Sequence, residues 1–159
     1  MKKRKNPLKE NFLSKFPDIL IKDRINNFNE NIVFSFQYFD HSQPAGQNFS
    51  DWTKEQLEKL LNKLKHYSSD TMAHWRQERI GGGLSVLEVY GNFPVRSDFI
   101  HPRHVPLDIE WARFRLEYDM RLIGFILPNR VTAENNLAKN VFYIVFLDQN
   151  HRFYLTEDR

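Results

Sequence analysis

The sequence of 159 residues contains no cysteine. This absence excludes disulfide bonds, thiolate metal sites and a cysteine nucleophile. The chain also lacks an apolar run of about 18 residues, the length that a membrane-spanning helix needs. Its basic first residues lead into polar ones, not into the apolar stretch of a signal peptide. We therefore expect a soluble, cytoplasmic protein with no membrane partner.

A large excess of charge is missing as well. Lysine and arginine total 23 against 20 acidic residues, which leaves a net charge of +3. This balance permits a nucleic-acid partner but does not indicate one. The only dense basic run occupies residues 2–5. It is either a solvated terminus or an arm that contacts phosphate.

Apolar and aromatic residues, in contrast, are plentiful. They make up 41% and 14% of the chain, and phenylalanine alone occurs 14 times. Such a composition is typical of a globular protein, and the length suits one domain with a substantial core. We divide the chain into an N-terminal extension, residues 1–31, and a single α+β domain, residues 32–159.

The C-terminal third has the pattern of a β-sheet. In residues 111–118 the even positions are apolar, whereas the odd positions include Arg113 and Arg115. This period of two predicts a strand with one buried and one charged face. Residues 121–127 predict the next strand. Residues 141–147 are apolar throughout, which predicts a central strand buried on both faces.

The preceding part of the chain predicts one strand and two helices. Residues 32–39 alternate as a strand does, and residues 51–65 and 70–80 have helical spacing and capping residues. We expect both helices to cover one face of the sheet. The first should pack its leucines on the central strand, with Leu57, Leu61 and Leu64 against Phe142, Ile144 and Phe146.

Two histidines, His101 and His104, are spaced closely enough to share a metal ion. The sequence fixes no third ligand near them, so we predict neither a metal site nor a cofactor.

The order of strand, two helices and several strands resembles the RelE/ParE superfamily of bacterial toxins. The motif is a basic strand, Arg113-Phe-Arg115, followed by Arg121-Leu-Ile-Gly-Phe125 and by closing strands within residues 141–154. The resemblance implies a RelE-like fold, an antiparallel sheet with two helices packed on one face. The chain would add the N-terminal extension and two insertions, residues 81–110 and 128–140.

The resemblance also implies an activity, the metal-independent cleavage of mRNA by a toxin of a toxin–antitoxin system. A ribose 2′-OH attacks the adjacent phosphate, which requires a base, an acid and cations. The implied partners are mRNA or the ribosome and a cognate antitoxin. The catalytic candidates combine guanidinium, imidazole and phenol groups: Arg115, Arg121, His151 and Tyr154. Further contacts to nucleic acid would come from Arg113, Lys63, Lys65 and Arg152.

Plainer roles are open for the same residues. Arg115 can pair with Glu117, His151 can be a turn residue, and Tyr154 can complete the core. A non-enzymatic module of the same fold, binding a protein or a nucleic acid, is the alternative function. An enzyme requires Arg121 and His151 to converge on an open concave face, whereas a binding module allows them to be apart or covered.

Overall fold

The computed structural model of this chain describes residues 7–16, 30–129 and 137–156, and these form an α+β fold, in agreement with the sequence. The helices are α1 (Pro7–Leu13), α2 (Lys54–Tyr67) and α3 (Met72–Gln77). The strands are β1 (Val33–Ser35), β2 (Arg79–Ile80), β3 (Leu84–Ser85), β4 (Leu87–Gly91), β5 (Glu110–Arg115), β6 (Arg121–Ile126) and β7 (Val141–Asp148). The predicted extension and the predicted insertion at 128–140 lie partly outside the described residues.

Five strands form the main sheet in the order β1-β7-β6-β5-β4, and β2 and β3 pair as a separate hairpin. The pairs β4–β5, β5–β6 and β6–β7 are antiparallel, but β1 runs parallel to β7. The sheet is therefore mixed, and the prediction of an antiparallel sheet is wrong for this pair. β1 is also shorter than the predicted strand 32–39, because the chain turns where the Phe39 amide donates to the Phe36 carbonyl at 3.0 Å.

β7 is the central strand that its apolar sequence predicted. It lies between β1 and β6, and all its residues except Val141 are buried. β5 and β6 confirm the other two predicted C-terminal strands, with a turn between them closed by the Met120 amide on the Glu117 carbonyl at 2.9 Å.

Both α2 and α3 pack on one side of the main sheet, which we call the helix face. α2 starts with a capping box, because the Thr53 hydroxyl accepts from the Gln56 amide while the Gln56 side chain accepts from the Thr53 amide. The helices and strands form one apolar cluster on this face, which includes Leu60, Leu64, Tyr67, Trp75, Ala112, Phe114, Leu122, Phe142 and Ile144.

The expected packing of α2 on β7 is correct only in part. Leu60 and Leu64 are buried, but Leu61 is 63% exposed and does not contribute to the core. Phe142 and Ile144 lie on the helix face, whereas Phe146 belongs to the cluster on the opposite face. The reason is a β-bulge in β7.

The bulge is visible in the pairing of β6 with β7. Ile123 pairs with Phe146, but the next residue, Gly124, pairs with Ile144, so Val145 is an extra residue. Because side chains alternate with a period of two, one extra residue moves every following side chain to the other face.

The second side of the sheet, which we call the loop face, is covered by irregular chain. Segments 92–109 and 149–156 contribute Phe99 and Phe153 to its aromatic core. The ring of Phe99 lies 4.5 Å from that of Phe146, and the ring of Phe153 lies 5.5 Å from that of Trp111. A second hydrophobic core therefore lies between the loop face and the segments that cover it.

Candidate functional site

Three arginines lie together at one end of the loop face. Arg113 and Arg115 project from the same side of β5, opposite Ala112 and Phe114, as the alternation predicted. Arg121, at the start of β6, is the direct cross-strand partner of Arg115. Like charges placed opposite each other in a sheet repel, so this arrangement is unfavourable unless other groups compensate it.

The three guanidinium groups differ in their access to solvent. Arg113 is 7% exposed and Arg121 is 4% exposed, whereas Arg115 is partly exposed. Burial, followed by the charges of Arg115 and Arg113, lowers the pKa of Arg121 to about 10. Burial, followed by the charge of Arg113, also lowers the pKa of Arg115. Arg115 is thus the accessible member of a cluster in which each positive charge disfavours the charged form of its neighbours.

The hydrogen bonds of Arg113 link β5 to β4. Its Nε donates to the hydroxyl of Tyr90 at 2.7 Å, and its Nη2 pairs with the carboxylate of Glu88. Tyr90 is partly buried, and this burial raises the pKa of its hydroxyl to about 12. Glu88 therefore neutralises part of the charge of the cluster from the edge strand.

Arg121 has a structural role as well. Its Nη1 donates to the carbonyl groups of Tyr118 at 2.7 Å and Met120 at 2.8 Å, both in the turn between β5 and β6. Tyr118 has a φ of 51°, in the left-handed region that side chains seldom adopt. Arg121 thereby stabilises a strained turn, so its removal would affect folding as well as any function.

Each arginine keeps one buried N–H group without a hydrogen-bond partner among the described residues: Arg113 Nη1, Arg115 Nε and Arg121 Nε. Leaving a buried donor unsatisfied costs about 1–3 kcal/mol, and more when the donor is charged. Guanidinium groups bind phosphate and carboxylate oxygens in a planar, bidentate manner. Because the unpartnered atoms are buried, an oxyanion would reach this cluster through the partly exposed side chain of Arg115.

An aromatic pair lies beside the arginines. The ring of Tyr154 stacks on the ring of Tyr90, with centroids 5.1 Å apart and planes 11° from parallel. Tyr154 is 44% exposed, so it is not a core residue in the manner of Phe153. Tyr90 thus connects Tyr154, a predicted site residue, to Arg113.

The turn that contains His151 is at the same end of the sheet. β7 ends at Asp148, the cross-strand partner of Arg121. The buried carboxylate of Asp148 accepts the amides of Arg152 at 2.9 Å and Phe153 at 2.8 Å, which fixes the turn. His151 has a φ of 55° within it, in accord with its alternative role as a turn residue.

The remaining predicted contacts to nucleic acid do not join the cluster. Lys63 and Lys65 lie on α2, which covers the helix face, whereas the arginines project from the loop face. Lys63 Nζ lies 5.9 Å above the ring of Tyr67. Arg152 Nε pairs with the carboxylate of Asp98 at 2.7 Å.

Sequence reasoning missed Glu88 and Tyr90. Both lie on the edge strand β4, and Glu88 is the cross-strand partner of Arg113. The aromatic and acidic residues of 84–90 were visible in the sequence, but only the register between β4 and β5 brings them to the arginines.

The side chains of His101 and His104 contact other residues of the chain. A ring nitrogen of His104 lies 3.1 Å from the Tyr38 carbonyl oxygen, and the His101 ring lies 5.4 Å from that of Trp111. Within residues 7–16, 30–129 and 137–156, no group of three or more His, Asp or Glu residues could hold a metal ion. In the same ranges, no helix has both the length and the apolar character required to cross a bilayer.

Comparison with known proteins gives no relative from which a function could be transferred. No protein-family model, no curated protein and no solved structure matches the chain.

Proposed function

We propose that the protein is a nucleic-acid-binding module that receives a phosphate group of its ligand at Arg115, with the buried charges of Arg113 and Arg121 behind it. The observation that supports this function most directly is the cluster of three adjacent arginines, of which Arg115 is partly exposed. A phosphate bound at Arg115 would offset the repulsion between the three cations. Arg115, the accessible member, would make the first contact.

A nucleic acid fits this site better than an acidic protein surface does. The phosphate groups of a nucleic acid recur along a backbone whose bases can contact Tyr154, whereas a carboxylate offers no such neighbour. The burial of Arg121 favours binding over catalysis, because an enzyme of the expected kind requires this residue on an open face. A RelE-like arrangement remains part of the proposal, supported by two helices on one face and by the pair Arg115–Arg121.

Binding of a short labelled single-stranded RNA, followed by fluorescence anisotropy, tests this function. We expect Arg115→Gln to weaken binding by roughly 10-fold or more, since a charge-assisted hydrogen bond contributes about 1.5–3 kcal/mol. Arg79→Gln is the matched control, because Arg79 is an exposed arginine of the β2–β3 hairpin. Circular dichroism verifies the folding of both variants.

Equal affinities of the wild type and Arg115→Gln for RNA would contradict the proposed function. A loss of RNA affinity in Lys65→Gln as well would show that the helix face belongs to the interface. Capture of an acidic peptide by the arginines in the absence of RNA binding would favour a protein partner.

A second candidate function is metal-independent RNA cleavage by a toxin that a cognate antitoxin neutralises. The cross-strand pair of Arg115 and Arg121 favours it, because two adjacent guanidinium groups can stabilise a phosphorane. The 2′ oxygen would form a bond to phosphorus while the bond to the 5′ oxygen breaks. A base would take the 2′ proton and an acid would protonate the leaving 5′ oxygen, with His151 and Tyr154 as the candidates.

Incubation of the purified protein with RNA in the presence of a chelator tests the second function. The expected products carry 2′,3′-cyclic phosphate and 5′-hydroxyl ends. His151→Gln and Tyr154→Phe should each lower the rate by on the order of 10²-fold. Expression in bacteria should arrest growth. RNA that is bound but stays intact, alone and on translating ribosomes, together with normal growth, would eliminate cleavage and leave the binding function.

A further inference from the structure

The aromatic pair beside the arginines bears on whether the nucleic acid is single-stranded or double-stranded. We infer that the site recognises a nucleotide with an unpaired base, the phosphate at the arginines and the base on the ring of Tyr154. This inference rests on the proposed function and specifies the ligand of the same site.

Tyr90 connects the two halves of this site. Its hydroxyl accepts from Arg113 Nε at 2.7 Å, and its ring carries the ring of Tyr154 at 5.1 Å. One residue therefore holds both an arginine of the cluster and the stacking surface in place. Tyr90 is accordingly a positioning residue, whereas Arg115 and Tyr154 touch the ligand.

The backbone is held in place on both sides of Tyr154. The Leu155 amide donates to the Arg96 carbonyl at 3.1 Å, and the Asp98 amide donates to the Arg152 carbonyl at 3.1 Å. The ion pair between Arg152 and Asp98 reinforces the second contact. The C-terminal segment is thus attached to the 92–109 loop on each side of Tyr154, so little conformational entropy is lost when a base stacks there.

The exposure of Tyr154 indicates what can stack on it. Its ring is the outer member of the pair and is 44% exposed, whereas Tyr90 is mostly covered. Bases in a duplex stack on one another, so their faces are not available to a protein ring, but an unpaired base can stack on tyrosine. The site should therefore prefer a single strand to a duplex.

Isothermal titration of the full chain with adenosine monophosphate and with ribose 5-phosphate separates the two contacts. Both probes carry the phosphate, but only the first carries a base. Because one stacked base contributes a factor of roughly 5 to 150 in affinity, adenosine monophosphate should bind more tightly by that factor. Labelled single-stranded and double-stranded RNA of one sequence are titrated in parallel.

Three variants assign the roles. Tyr154→Leu should abolish the difference between the two probes and leave the affinity for ribose 5-phosphate unchanged. Tyr90→Phe should weaken both probes equally, because it removes the hydroxyl that orients Arg113 and keeps the stacking ring. Phe12→Leu is the matched control, since Phe12 is 60% exposed on α1, a helix without a buried residue, and it should change neither affinity.

The outcomes distinguish this inference from the proposed function. If RNA binds through Arg115 but the two probes bind equally and Tyr154→Leu has no effect, the inference is wrong and the proposed function stands. If adenosine monophosphate binds through Tyr154 but neither RNA form binds, the proposed function is wrong and the site is one for a free nucleotide. Absence of binding by every probe would eliminate both.

Discussion

The two faces of the main sheet share the same strands but are closed in different ways. On the helix face, β5 and β7 present Phe114, Phe142 and Ile144, and α2 and α3 cover them with apolar side chains. On the loop face, irregular chain covers an aromatic centre around Trp111, and the end of the face carries arginines.

The difference follows from what each cover can supply. A helix places an apolar side chain at every third or fourth residue, so it seals a long stretch of sheet evenly. Segment 92–109 reaches the sheet only at separate residues such as Phe99 and Val105. Loops therefore leave room for polar groups beside a rigid sheet, which is where binding residues concentrate in folded proteins.

Both faces of the sheet bury large aromatic side chains, and two residues of the same strand, β5, test whether the two cores contribute equally to stability. Trp111 and Phe114 are each at most 2% exposed, on the loop face and the helix face respectively. Trp111→Ala and Phe114→Ala should each lower the free energy of unfolding by about 3–5 kcal/mol, measured by urea denaturation. If Trp111→Ala lowered the free energy of unfolding far less than Phe114→Ala does, the loop face would not be a second core.

Neighbouring leucines of α2 test how the helix face is sealed. Leu60 is 2% exposed and lies in the core cluster, so Leu60→Ala should cost about 2–5 kcal/mol. Leu61→Ala is the control and should change stability by no more than about 0.5 kcal/mol, as surface substitutions usually do. Comparable losses for both variants, in thermal and urea denaturation, would mean that α2 is rotated relative to the sheet.

These residues also show how far the sequence could predict the fold. The unbroken apolar run of β7 and the alternation of β5 predicted their positions, because burial on two faces or one leaves a direct pattern. The bulge at Val145 left none, and it reversed the face of Phe146. The leucine stripe of α2 is wider than the surface that the sheet covers, so only tertiary docking decides that Leu61 stays outside.

The candidate site was predictable to a similar degree. Alternation in β5 and the short turn before Arg121 were sufficient to predict three arginines on one face. The burial of Arg113 and Arg121 was not predictable, since the cover on that face has no periodic pattern. The role of Tyr90 was hidden for another reason, because it depends on the register of an edge strand.

Gly124 tests how closely the strands approach each other under the helix face. A Cβ atom at this position would lie 2.2 Å from the Tyr143 carbonyl oxygen and 2.6 Å from the ring of Phe142. Gly124→Ala should therefore destabilise the protein by about 1–3 kcal/mol or more, because backbone must move. Gly81→Ala is the control, since a Cβ there meets nothing within 4 Å, and its urea midpoint should stay close to that of the wild type. Equal midpoints for both variants would contradict the close approach of β6 and β7.

The arginine end of the loop face supplies the smallest expected effect. A ligand that binds only the folded state raises stability by about 1.4 kcal/mol at ten times its dissociation constant. For a chain of this size, inorganic phosphate at that excess should raise the melting temperature by roughly 3–6 °C. Phosphate also stabilises proteins generally through its exclusion from their surfaces, so the informative quantity is the difference between the wild type and Arg115→Gln at the same phosphate concentration.

Arg115→Gln removes one of three close cations, which relieves repulsion, so its melting temperature without phosphate should equal or exceed that of the wild type. The variant should then gain less from phosphate, because the accessible guanidinium group of the cluster is missing. Equal gains in the two proteins would mean that the effect of phosphate is entirely nonspecific. In that case the unpartnered N–H groups at this end of the loop face would be a cost of the fold with no anion to offset it.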